Sequence, residues 1–149
     1  FSVQGGLTLQ RSRYKELEQW SDNPDVPATK DMFRTPDMYG YFTLNYSPVK
    51  PLTLGMTGTF TGPMWMQHFE GSGTTIDIAE RTESFADIGV KVAYDFKLFD
   101  FSTLQINAGM HNIFNSFQKD FDKGELRDSG YMYGPMLPRS VYVGVKLSL

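Results

Sequence analysis

A chain of 149 residues is long enough for one domain, and its net charge of −3, with no run of basic residues, argues against a surface for phosphates or nucleic acid. The absence of cysteine excludes a disulfide framework and thiolate metal sites. No stretch approaches the roughly 18 continuous apolar residues of a membrane-spanning helix, while aromatic residues reach 15% of the chain.

The chain opens in an alternating pattern. In FSVQGGLTLQ, Phe1, Val3, Leu7 and Leu9 face one way, and Ser2, Gln4, Thr8 and Gln10 the other, which is the period of a strand. The pattern is already under way at Phe1, with no signal peptide before it, so we expect this sequence to be a piece of something longer. Residues 14–38 form a long polar connection. Around 39–46, Gly40, Phe42, Leu44 and Tyr46 oppose Tyr39, Tyr41, Thr43 and Asn45. After the short SPVKP at 47–51 comes a strand at 52–61, with Leu52, Leu54, Met56 and Phe60 set against four threonines and Gly55. A second long connection, 62–83, precedes a strand at 84–96. There Ala86, Ile88, Val90, Val92, Tyr94 and Phe96 alternate with Asp87, Gly89, Lys91, Ala93 and Asp95. KLFDF at 97–101 is short. Residues 103–111 set Leu104, Ile106, Ala108 and Met110 against Gln105, Asn107, Gly109 and His111. The third long connection, 112–139, leads to a last strand carrying Val141, Val143, Val145, Leu147 and Leu149 on one face. No stretch makes a convincing amphipathic helix.

Six strands of roughly nine to eleven residues are longer than the soluble average of about five or six, and match the length that crosses a bilayer at a tilt. Short and long connections alternate, so the short ones gather at one end of an up-and-down sheet and the long ones at the other. Tyr46, Tyr94, Phe96, Phe99 and Phe101 cluster near the short-turn rim, and Tyr39 and Tyr41 near the long-loop rim, as interfacial girdles do. The non-apolar face is rich in Thr, Gln, Asn and Gly but poor in charge, which suits a lumen better than a solvated surface. The pattern therefore predicts an all-β, antiparallel, up-and-down transmembrane β-barrel segment of about six long strands, with short periplasmic turns and long extracellular loops. Six strands do not close a membrane barrel, which starts at about eight, so further strands or further copies are expected. The alternative is a soluble β-sandwich that binds a ligand such as a carbohydrate; it explains the alternation but not the strand length or the one-ended loops.

The long connections carry specific motifs. N-I-F-N at 112–115 follows a strand. D-x-G-x-x-R-D-S-x-Y-x-Y-G-P-x-x-P-R at 122–139 then leads into the final alternating strand. This block resembles the C-terminal end of TonB-dependent outer-membrane receptors. F-R-T-P at 33–36 and F-T-G-P-M at 60–64 look like preceding parts of the same family, so the resemblance covers essentially the whole chain. It implies a barrel of about 22 strands around an N-terminal plug, residing in the bacterial outer membrane. Such receptors take up a scarce nutrient (a metal chelate, cobalamin or an oligosaccharide), driven by an inner-membrane energy-coupling complex. Residues 1–149 would supply the last strands and three outer loops. The plug and the earlier strands would be partners within the same receptor, and lipid the partner outside. Leu149 departs from the aromatic residue with which outer-membrane proteins commonly end.

Candidate ligand contacts lie in the outer loops. Met64, Met66 and His68 are soft donors of the kind that suits copper, but this run also resembles ordinary family sequence, and neither metal nor cofactor is expected. Trp20 and Trp65 could stack on a sugar or corrin ring or pack one loop on another. Arg127, Asp128, Tyr131, Tyr133 and Arg139 are read as a structural motif that fixes the last loop through Arg–carboxylate pairs. Catalysis is not expected, because no nucleophile elbow, phosphate loop or zinc-protease motif occurs.

Overall fold

The computed structural model describes residues 1–149 and contains strands, turns and loops but no helix. Six strands build one antiparallel sheet in the order β1-β4-β5-β8-β9-β10. These are β1 (Ser2–Leu9), β4 (Met38–Val49), β5 (Leu52–Thr61), β8 (Phe85–Phe99), β9 (Ser102–His111) and β10 (Ser140–Ser148). Neighbours in the sheet follow one another along the chain, so the sheet is an up-and-down meander. It is open: β1 and β10 each pair on one side only. A closed barrel is thus not formed by these residues.

Two strands run longer than their pattern predicts. β4 reaches Val49 and β8 reaches Phe99, each through a bulge near its end, between Tyr46 and Val49 and between Lys97 and Phe99. A bulge lets the strand continue past a register slip and tightens the twist before the turn. The long connections also hold structure that periodicity did not predict. The first contains β2 (Arg13–Glu18) paired with β3 (Thr29–Asp31), and the second contains β6 (Trp65–His68) paired with β7 (Ile78–Arg81).

The register separates the two faces completely. Val3, Leu44, Met56, Val90, Met110 and Val141 lie in one row across all six strands. One residue further along, Ser2, Asn45, Gly55, Lys91, Gly109 and Tyr142 form the opposite-facing row. Nothing in the chain covers the apolar face: Val141, Val143 and Val145 are 69%, 73% and 69% exposed. Buried apolar residues are confined to Val26, Met66, Ala93 and Tyr131. Burying a Val or Leu side chain stabilises by about 1.5–3 kcal/mol, so this sheet withholds most of its available hydrophobic stabilisation until something covers that face.

Glycines on the sheet make room for aromatic rings from the next strand. A Cβ at Gly6, Gly58 or Gly109 would overlap the ring of Tyr41, Phe42 or Tyr142 respectively, a cross-strand device that compensates for the weak strand propensity of glycine. Tyr142 also stacks on His111, with centroids 4.9 Å apart. One expectation needs correcting here. Tyr39 and Tyr41 pair with Thr61 and Thr59 and so belong to the polar face, not to an apolar girdle. At the short-turn end the expected aromatics are present on the apolar face. Tyr94 and Phe96 lie 4.6 Å apart, and Phe1 meets Tyr46 edge-on at 6.4 Å.

Candidate functional site

The three long connections converge at one end of the sheet into a cap with a polar core. Asn112 and Met66 are fully buried, and Tyr131, His68, Asp122 and Gln118 nearly so. Local chemistry starts the assembly. Asn112 and Asn115 of N-I-F-N both adopt positive φ, 47° and 52°, a conformation asparagine tolerates better than most residues. The Asn112 amide donates to the Ser116 and Leu137 carbonyls at 2.8 and 2.9 Å, and its oxygen accepts from Ser116 N–H. Asn115 accepts from Arg139 N–H at 3.0 Å. The two asparagines therefore hold both ends of the last loop together and deliver β10 beside β9.

Arg34, also at positive φ (57°), joins all three loops. Its N–H donates to the Trp65 carbonyl at 2.8 Å and its guanidinium to the Gly130 carbonyl. Ser21 donates to Asp77 at 2.6 Å, and Arg81 pairs with Asp37 at 2.6 Å, tying the first loop to the second. The last loop is shaped by carboxylates that accept, rather than by the expected Arg–carboxylate pairs. Asp128 accepts Phe69 N–H and Gly130 N–H at 2.8 and 2.7 Å. Arg127 donates to the Gly124 carbonyl, and Arg139 contributes its backbone N–H.

At the centre of the cap, His68 sits between two acids. Its Nδ1 lies 3.0 Å from Glu80 Oε2 and its Nε2 3.1 Å from Asp122 Oδ1. Tyr131 stacks on the imidazole with centroids 3.9 Å apart and planes within 1°. The hydroxyls of Tyr131 and Tyr133 donate to the two oxygens of Asp120 at 2.8 and 2.7 Å. Burial pulls the His68 pKa down, but the hydrogen bonds and charges of Glu80 and Asp122 outweigh it, and the net shift is upward. The Asp128 N–H, and then His68, hold the Asp122 carboxyl below its ordinary range against the opposing effect of burial. Burial also opposes ionisation of Asp120, yet the two tyrosine hydroxyls lower its pKa. Tyr131 and Tyr133 shift upward through burial and their bonds to Asp120, so both remain neutral donors. With both ring nitrogens facing carboxylate oxygens under a stacked aromatic ring, the arrangement favours the protonated imidazole over the neutral one.

The sequence candidates divide between the interior and the surface of this cap. Met66 and His68 lie inside it, and Met64 is half-buried, its N–H accepted by Thr82 Oγ1. Both His68 nitrogens are taken by carboxylates, so neither is free for a metal. Trp20 and Trp65 line a groove on the outside. Trp20 donates its indole N–H to the Pro27 carbonyl at 3.2 Å and meets Phe33 edge-on at 5.2 Å, and Trp65 lies under the Arg81 guanidinium. Tyr131 and Tyr133 join the carboxylate network directly. Glu80 and Asp120 escaped sequence reasoning because nothing local marks them, and Asp122, though it opens the motif at 122–139, could not be linked to His68, 54 residues away.

Gly73 is the tight point between the second and third loops. A Cβ there would overlap the Asp122 carboxylate and press on His68 Nε2. Gly73→Ala is expected to destabilise the cap by about 1–3 kcal/mol, the usual cost of overpacking. Hydrogen exchange should show faster exchange across 118–131 with the sheet amides unchanged; unchanged loop protection would contradict this packing.

Comparison of the chain with protein-family models, with curated proteins and with solved structures gives no match.

Proposed function

We propose that the chain is a section of the wall of an outer-membrane β-barrel, with its apolar face against lipid, its polar face toward the lumen and the loop cap at the outer surface. One observation carries this reading: a six-stranded meander with one wholly apolar, uncovered face. A bilayer supplies the missing cover without another layer of protein. A soluble sandwich needs a second sheet packed on that face, and residues 1–149 supply none. The unpaired outer edges of β1 and β10 call for further strands, since lipid cannot satisfy exposed backbone groups. The resemblance of residues 112–139 to TonB-dependent receptors makes an energy-coupled nutrient transporter the preferred form of that barrel. In it this segment acts as wall and outer mouth, not as an enzyme.

Residues 1–149 contain no cysteine, and any cysteine elsewhere in the full-length protein is first replaced by serine. Single cysteines are placed along β10 in the full-length protein in outer membranes. Positions 141, 143 and 145 should resist a water-soluble maleimide and react with a bilayer-soluble one, and positions 142, 144 and 146 should do the reverse. Uniform labelling from water at both sets would reject the membrane placement.

A further inference from the structure

We propose that the groove between the β2–β3 hairpin and the β6–β7 hairpin binds a small organic cation, with an apolar or aromatic body of one or two rings carrying an ammonium group. The groove has a volume of about 380 Å³, within the range that holds a small ligand. Its walls include Trp20, Phe33, Trp65 and Ile78, and its polar side chains include Asp31 and Asp77. The walls are held in place before any ligand arrives. Trp20 is fixed by its bond to Pro27 and by the edge of Phe33, so its indole N–H is not free to meet a sugar hydroxyl.

Charge selects the occupant. Asp31 is neutralised by Arg13 at 3.1 Å. Arg81, whose guanidinium lies over Trp65 at 5.7 Å, does not line the groove and is paired with Asp37. Asp77 accepts Ser21 Oγ at 2.6 Å and Glu70 N–H at 2.8 Å, but no Lys, Arg or His nitrogen lies within 4.0 Å of it. The groove therefore presents one uncompensated carboxylate beside aromatic faces. That combination attracts a cation twice, through the carboxylate and through the rings, and repels an anion. The inference extends the barrel reading by naming what the outer cap takes, and relies on it only for access from outside.

The test uses the full-length protein in detergent and three probes that share one ring: phenethylamine, 2-phenylethanol and 3-phenylpropionate. Binding is read by calorimetry and by Trp emission. The amine should bind about tenfold or more tightly than the alcohol, with the carboxylate weakest, and added salt should narrow the gap. Asp77→Asn keeps groups able to meet Ser21 and Glu70 N–H, and should bring the amine down to the alcohol. Trp65→Leu should weaken amine and alcohol together. Circular dichroism confirms that each variant is folded. Equal binding of amine and alcohol, or an amine preference that survives Asp77→Asn, overturns the proposal. Amine binding indifferent to both substitutions is micelle partitioning and overturns it equally. The β10 labelling pattern is read on the same protein: intact labelling without cation selectivity rejects the groove alone, and lost labelling with selectivity kept rejects the membrane placement alone.

Discussion

If the sheet is the barrel wall proposed above, Val92→Arg is expected to block its assembly, while Thr57→Arg leaves it assembled. Val92 is central in β8 and sits in an apolar row between Leu54 and Ala108. If that face meets lipid, arginine near the bilayer midplane costs about 2–4 kcal/mol, a large share of the roughly 5–15 kcal/mol by which a folded domain is stable. Thr57 is on the other face, between Thr43 and Gly89. It borders a hollow of about 290 Å³ that also touches Asp87 and His111, so a long cation has room, water and a nearby carboxylate. The measurement is the heat-modifiable band shift of the folded barrel on gels, with urea titration in detergent for the magnitude. Equal tolerance of the two arginines would refute the assignment of the faces. Reversed tolerance would place lipid on the polar side.

The loop cap should be held most firmly in mildly acidic solution and loosen as pH rises. His68 has a folded pKa above its ordinary 6.5, so its contribution is complete below 6.5 and is lost as pH climbs through the raised value. Asp122 and Asp120 have folded pKa values below their ordinary 3.8, so their contributions are complete above 3.8 and fade as pH falls through the lowered values. Between these limits Glu80, His68 and Asp122 form an alternating charge line that joins the β6–β7 hairpin to the last loop. Tyr131 and Tyr133 begin to lose their contributions only above their ordinary 10, so they do not blur this window. Hydrogen exchange corrected for intrinsic rates should show Asp128 and Tyr131 amides better protected at pH 6 than at pH 8.5. His68→Gln should flatten that dependence. Protection that is unchanged or rises between pH 6 and 8.5 in the wild-type protein would exclude a charged His68 as the pin.

The strands were legible because a strand writes its faces locally. Along Val141 to Leu149 every second residue is apolar, and backbone pleating alone sends those side chains to one side. The same alternation marks Leu52 to Phe60 and Ala86 to Phe96, which is why the antiparallel all-β sheet could be expected. The small hairpins were not legible. β3 and β6 are 3 and 4 residues long, too short for a period to emerge. The position of Tyr39 and Tyr41 is a subtler case. The alternation already set them on the face of Thr43 and Asn45, but their nearness to the rim suggested a girdle, and the pairing with Thr61 and Thr59 assigns them to the polar face.

By itself, then, the sequence determined which residues share a face, where the sheet turns back and which connections are long, because each of these depends on neighbours a few residues apart. Only the tertiary structure decided what the long connections do together. Asn112 meets Leu137, Arg34 reaches Gly130, and His68, already paired with Glu80 across its own hairpin, meets Asp122 because the meander brings all the long-loop strand ends to one rim. Contacts of that kind depend on how far apart the strands hold the loop ends in space, and no local pattern records that distance.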